Sequence, residues 1–243
     1  MSRIEDLNFS KPAEVHSFQG LLFDMDGTII DSTEAIVKNW HKIGKELGVD
    51  PNVILQTSHG RRSIDVLEIY DKSRANMEYV LDMEARIPRE YGQHAVEIPG
   101  SRAFLDVLEK AGVPWAIVTS GTRPLVTGWL DVMKLAHPKN LVAAEDVPRG
   151  KPDPACYQLG QKNLGLAENA RTRTLVLEDA PAGVLAGKAA GSPVVALATT
   201  HDVVRLRDAG ADWIVRDMRS VSLKNWDAET GEAKIEISDA LME

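Results

Sequence analysis

At 243 residues the chain is long enough for one large α/β domain, or for a medium core with a smaller module attached, and needs no covalent staples. Its formal charge of −8 at pH 7, spread over interspersed Lys, Arg, Asp and Glu with no basic stripe, argues against nucleic acid as a partner. The single cysteine, Cys156, cannot make an internal bridge, the start carries no signal-peptide pattern, and no apolar run is long enough to span a bilayer. These features predict a cytoplasmic protein with no membrane contact; a monomer is the expectation, with the oligomeric state left open by the sequence.

Residues 1–16 are polar and without a sustained period, which reads as a surface arm. The first apolar run, 18–23, reads as a buried strand. Further short runs lie at 115–118, 175–177, 194–198 and 213–215, with a lesser one at 141–143. Stretches of helical composition separate them, and this alternation predicts an α/β fold: a doubly wound, mainly parallel sheet (a Rossmann-like core) covered by helices on both faces.

The segment 32–98 breaks that alternation. Ile36, Val37, Trp40, Ile43 and Leu47 fall at helical spacing and are closed by Gly48, a second helix covers 63–70, and a third covers 77–86 and stops before Pro88. A crossover between parallel strands needs one helix, so three helices read as a separate helical cap. It is entered after Asp31 and left at Pro99-Gly100, and the core comprises 17–31 and 99–220. The C-terminal extension, 221–243, holds a turn at Thr230-Gly231 and an alternating run at 233–237, which predicts an edge hairpin.

Four short motifs carry the chemistry. Asp24 and Asp26 follow the first strand directly, at the carboxyl end where open α/β sheets bind ligands. Taken alone, Asp-x-Asp-Gly is also an ordinary turn sequence. In this setting Asp24 suits a nucleophile that attacks phosphorus, and Asp26 suits an acid and base that protonates the leaving alcohol and then deprotonates water. That second role requires a carboxyl held above the ~3.9 of a free aspartate. Val118-Thr119-Ser120-Gly121 offers the Thr119 hydroxyl and the backbone of Ser120 and Gly121 to phosphate oxygens, though the same residues also suit a helix cap. Lys151 sits between Gly150 and the Pro152-Asp153-Pro154 turn and can bridge Asp24 and a phosphoryl oxygen. Glu178 and Asp179 end a later strand; four gathered carboxylates call for a divalent cation, and Mg²⁺ matches hard oxygen donors beside a phosphate. The expected ligands are the Asp24 and Asp179 side chains and the Asp26 backbone carbonyl, with Glu178 attached through water.

In this order and spacing the four motifs resemble those of the haloacid-dehalogenase-like superfamily of phosphohydrolases, with a helical cap inserted after the first strand. Ser58-His59-Gly60-Arg61-Arg62, 87–92, Val118-Thr119-Ser120-Gly121-Thr122-Arg123 and 227–230 further resemble the fungal glycerol-phosphate phosphatases and their relatives acting on 2-deoxyglucose 6-phosphate. The resemblance implies hydrolysis of glycerol 3-phosphate, glycerol 1-phosphate or a similar small polyol phosphate, through an aspartyl phosphate. Cap residues His59, Arg61 and Arg62 become candidates for substrate binding, Arg62 following the pattern and Arg61 standing where an aromatic residue is usual. Three alternatives remain: a sugar or sugar-alcohol phosphatase, a sugar phosphomutase, and a phosphometabolite-binding module without turnover. Against the mutase, Ile36 stands where such enzymes carry a histidine. Against the binding module, Asp24, Asp26, Thr119, Lys151 and Asp179 are all present.

Overall fold

A computed structural model describes residues 7–58, 60–166 and 173–242. Two short strands, β1 (Phe9–Lys11) and β2 (Glu14–Phe18), precede β3 (Gly20–Phe23), which is buried along its whole length. Strand β4 (Ile30–Asp31) then leads into helices α1 (Thr33–Leu47), α2 (Pro51–Ser58), α3 (Ser63–Tyr70) and α4 (Met77–Tyr91), and β5 (Val96–Glu97) brings the chain back. Helices and strands alternate from there: α5 (Ser101–Ala111), β6 (Trp115–Val118), α6 (Arg123–Met133), β7 (Asn140–Val142), α7 (Ala155–Asn163), β8 (Thr174–Glu178), α8 (Pro181–Ala189), β9 (Val194–Leu197), α9 (Val203–Asp208) and β10 (Trp213–Val215). Strands β11 (Val221–Asp227), β12 (Glu232–Ile237) and β13 (Ala240–Leu241) follow.

The central sheet has six strands in the order β10-β9-β8-β3-β6-β7, every neighbouring pair parallel. This is the doubly wound α/β fold that the alternation of apolar runs predicts. Side chains alternate across the sheet with the strand period of two. Leu21, Phe23, Ile117 and Leu177 enter a core with Phe104 and Trp129, while Leu22, Val118 and Val176 enter another with Tyr157 and Val184. Phe23 meets Phe104 and Trp115 edge-on, each at 5.9 Å between ring centres. Truncating Phe23 to alanine would cost about 3–5 kcal/mol.

The chain winds outward from β3 in both directions, so the carboxyl ends of β3, β6 and β8 converge where such sheets bind ligands. The helical segment α1–α4 stands beside these ends on the β4–β5 ribbon, in which Ile30 pairs with Glu97 and Asp31 with Val96. It has an apolar cluster of its own, Trp40, Ile43, Ile54, Val66, Leu67, Val80 and Met83.

Several expectations need correction. Residues 9–11 and 14–16 of the supposed surface arm lie in strands: β2 pairs antiparallel with β12, Phe18 facing Ala233 and Glu14 facing Ile237. Phe18 therefore ends β2 rather than opening the core strand, and the C-terminal hairpin lies in its own three-stranded sheet, β11-β12-β2, not on an edge of the main one. The helix expected to stop before Pro88 runs through it to Tyr91. Pro88 has no N–H for the carbonyl of Glu84, but its ring lies against Gly128 of α6, where a Cβ would come within 2.8 Å of Pro88 Cγ. Packing of α4 on α6 thus outweighs the local break. Helix α2 was not expected, although Pro51 at its first position and Asp50, whose Oδ1 accepts from the Asn52 N–H at 2.9 Å, are ordinary start signals.

Candidate active site

Each acidic motif is positioned by the sheet. The Asp24 N–H donates to the Leu177 carbonyl at 3.0 Å, which continues the β3–β8 ladder and fixes Asp24 at the strand end. The chain then turns tightly, the N–H groups of Thr28, Ile29 and Ile30 all donating to the Met25 carbonyl. Gly27 within this turn has φ +91°, and a Cβ there would lie 2.2 Å from Asp179 Oδ2, so both backbone and space require glycine. Asp26 is half-buried at the rim and accepts from the Ser32 hydroxyl through Oδ1. On the neighbouring strand the Thr119 N–H donates to the Val142 carbonyl at 3.0 Å, and Thr119 Oγ1 accepts the Gly121 N–H at 3.0 Å.

Lys151 enters from the loop before α7 and is buried. Its Nζ donates to Asp24 Oδ1 at 2.5 Å, Glu178 Oε1 at 2.6 Å and the Val118 carbonyl at 3.2 Å. Glu178 accepts four donors: Lys151 Nζ and the Tyr157 hydroxyl (2.8 Å) on Oε1, the N–H groups of Asp179 (2.9 Å) and Ala180 (3.0 Å) on Oε2. A carboxylate has about four lone-pair sites. Glu178, expected beside the metal through water, also anchors Lys151 and the start of α8. Gly183 leaves room for it, since a Cβ there would stand 1.6 Å from Oε1.

Burial lowers the affinity of the Lys151 ammonium for its proton, but Asp24 and Glu178 override this and hold its pKa above the ordinary lysine value. Burial also pushes Asp24 up, reinforced by Glu178 and Asp179, while Lys151 pulls it down. One lysine does not balance three acids. Asp24, Glu178 and Asp179 each offer an oxygen, the three within 4.8 Å of one another, and a divalent cation there would complete the compensation. Asp179 Oδ2 also accepts from the Thr200 hydroxyl, which orients it. The hard oxygen donors therefore fit Mg²⁺, with Asp24 and Asp179 as the carboxylates available to it.

Between these strand ends and the helical segment lies a cavity of about 270 Å³, lined by Asp24, Asp26, Thr119, Ser120 and Gly121 on the sheet side. Arg61 lines the other side. Arg62 does not reach it: its buried guanidinium holds Asp65 through Nε and Nη2 at 2.8 Å and donates to the carbonyls of Ala144 (3.3 Å), Val147 (2.9 Å) and Pro148 (3.3 Å). It thus clasps the helical segment to the loop after β7, assisted by Ser120 Oγ, which donates to the Gly60 carbonyl at 3.0 Å. His59 lies outside the described residues.

The sequence reading missed Glu84 of α4, a buried residue lining the cavity. It accepts from Ser63 Oγ at 2.5 Å and from the Thr122 N–H at 2.7 Å, so it joins α4, α3 and the start of α6. Burial raises its carboxyl to about 7, against the lowering effect of these two donors. A lone acid on an amphipathic helix carries no sequence signal that it points inward.

The model of the haloacid dehalogenase-like hydrolase family matches residues 21–197. The chain belongs to this family. Among its relatives, glycerol-1-phosphate phosphohydrolase 1 of Saccharomyces cerevisiae is 38% identical over 226 residues, 90% of each chain. Hexitol phosphatase A of Escherichia coli is 37% identical, covering 84% of this chain and 94% of its own. 2-Deoxyglucose-6-phosphate phosphatase 1 of S. cerevisiae is 36% identical, covering 83% and 89%. The family and both yeast relatives accord with the resemblance carried by the four motifs.

Proposed function

We propose that this hydrolase is a phosphomonoesterase for small polyol phosphates, glycerol phosphate foremost, with the helical segment as its cap. The reading rests chiefly on one observation: Asp24, with its charge partner Lys151 at 2.5 Å, opens on a cavity shared with Asp26 and Thr119. In the first step an Asp24 carboxylate oxygen attacks phosphorus, the ester P–O bond breaks, and Asp26 gives its proton to the departing alkoxide. An aspartyl phosphate remains on Asp24. In the second step water attacks that phosphorus, Asp26 takes a proton from the water, and inorganic phosphate leaves as Asp24 is restored.

Thr119 Oγ1 and the N–H groups of Ser120 and Gly121 are the groups proposed to hold the non-bridging oxygens, and Lys151 the one to neutralise them. Mg²⁺ bound to Asp24, Asp179 and the Asp26 carbonyl would supply further positive charge to the phosphoryl group. Arg61 remains a candidate for substrate contact, and Arg62 is a candidate for holding the cap shut. A mutase reading gains nothing from Ile36, which lines the cavity and cannot relay a proton. The reducing interior of the cell and a monomeric state complete the proposal.

The test is phosphate release, with Mg²⁺ and with EDTA, from glycerol 1-phosphate, glycerol 3-phosphate, sorbitol 6-phosphate and 2-deoxyglucose 6-phosphate. Metal-dependent release with the glycerol phosphates preferred is the expected result. Preference for a hexose derivative would move the substrate assignment, and no release from any ester would sink the proposal.

A further inference from the structure

The polar side chains around the cavity are, with few exceptions, already engaged. Ser32 donates to Asp26, Ser63 to Glu84, Ser120 to the Gly60 carbonyl, and Thr119 accepts from Gly121. Asn39 differs. It lies on α1, is 5% exposed and lines the cavity, yet its amide makes no hydrogen bond to another described residue. Around it on the cap side are apolar groups: Ile36, Trp40, Leu55 and Ile87.

An amide that opens on a cavity and has no protein partner keeps its hydrogen bonds for what the cavity admits, which an apolar side chain of the same shape could not do. Its presence is therefore explained by something that enters the cavity. An amide offers two N–H donors and an acceptor, and an alcohol hydroxyl both donates and accepts. The phosphate-holding groups stand on the sheet side, whereas Asn39 stands on the cap side, where the alcohol portion of an ester would extend. We propose that Asn39 is the specificity-determining residue of this site: it hydrogen-bonds a hydroxyl of the alcohol and selects polyol phosphates over phosphate esters that lack hydroxyls. This rests on the phosphomonoesterase reading above. Sites built to bond a substrate hydroxyl discriminate strongly against the analogue without it, because the protein group is then left unpaired.

The experiment compares kcat/KM for glycerol 3-phosphate with that for propyl phosphate, in the unmodified enzyme and in Asn39→Leu. The expected result is a preference for the glycerol ester that shrinks about tenfold or more in the variant, carried mainly by KM, with Tm no lower than before. Asn39→Ser, which keeps a hydrogen-bonding group, should recover part of the preference, and it carries the test should the leucine variant fold poorly. An unchanged ratio, or equal losses on both esters with a lowered Tm, would assign Asn39 a structural role and overturn the inference. Equal use of both esters by the unmodified enzyme would overturn it alone; release from neither would overturn the phosphatase reading and the inference with it.

Discussion

On the sheet side of the cavity Lys151 answers both Asp24 and Glu178, at 2.5 and 2.6 Å, and Glu178 in turn meets four donors. On the cap side Asn39 faces the same space with no hydrogen-bond partner among the described residues, between apolar Ile36, Trp40, Leu55 and Ile87 and polar Thr33, Ser58, Arg61 and Glu84. The first surface is held in place by these bonds, with only its excess negative charge left for a cation to balance, as expected of groups proposed to hold charge through a reaction. The second keeps groups without protein partners, as suits a surface proposed to be finished by the alcohol of the substrate. On the proposed reading, chemistry and choice of substrate are divided between two parts of the chain.

Substitutions on the two sides should differ in kind. Asp24→Asn removes the proposed nucleophile while Lys151 keeps Glu178, so kcat should fall by at least about 10⁴-fold with the unfolding midpoint preserved. Activity within tenfold of the parent would refute the division just drawn. Lys151→Met leaves Asp24 and Glu178 buried without their cation, and urea titration should show a loss of about 3–5 kcal/mol. On the opposite side Arg62→Met loses the clasp to Ala144, Val147 and Pro148; a loss of about 1–3 kcal/mol is expected, with faster amide exchange in α3.

The smallest effect is a slope with pH. Glu84 has its carboxyl raised from 4.5 to about 7 by burial, so its contribution to stability is complete below pH 4.5 and fades as pH rises through 7. Glu84→Gln should flatten that part of the stability profile. Tm measured from pH 4.5 to 8 checks it, and parallel curves for parent and variant would show that Glu84 does not titrate there.

What could be read from sequence, and what could not, follows the same division. The acids at 24, 26, 178 and 179 follow buried strands whose apolar runs announce them, so order along the chain already fixes their place at one end of a sheet. Asn39 and Glu84 sit on helices, and their direction is set by how α1 and α4 pack together, which spacing alone does not determine. Strand β2 was hidden for another reason. Its alternation is reversed: Val15 is 52% exposed, whereas His16 turns inward and lies 4.8 Å from the Trp213 ring, whose Nε1 donates to Glu14 at 3.0 Å. A polar strand held by an aromatic residue two hundred positions away leaves no local trace. Pro88 misled because the partner that accepts its ring, Gly128, also lies far along the chain.

The ribbon of β4 and β5 has one more consequence. Because Ile30 and Asp31 lie directly against Glu97 and Val96, everything between them leaves and rejoins the sheet at adjacent points. Closing a loop from such neighbouring anchors costs only about 0.6 kcal/mol more for each doubling of its length. The sheet is therefore nearly indifferent to how much chain hangs from the ribbon, and the space above Asp24 can be enlarged or narrowed by lengthening or trimming that chain without renegotiating the strands beneath it.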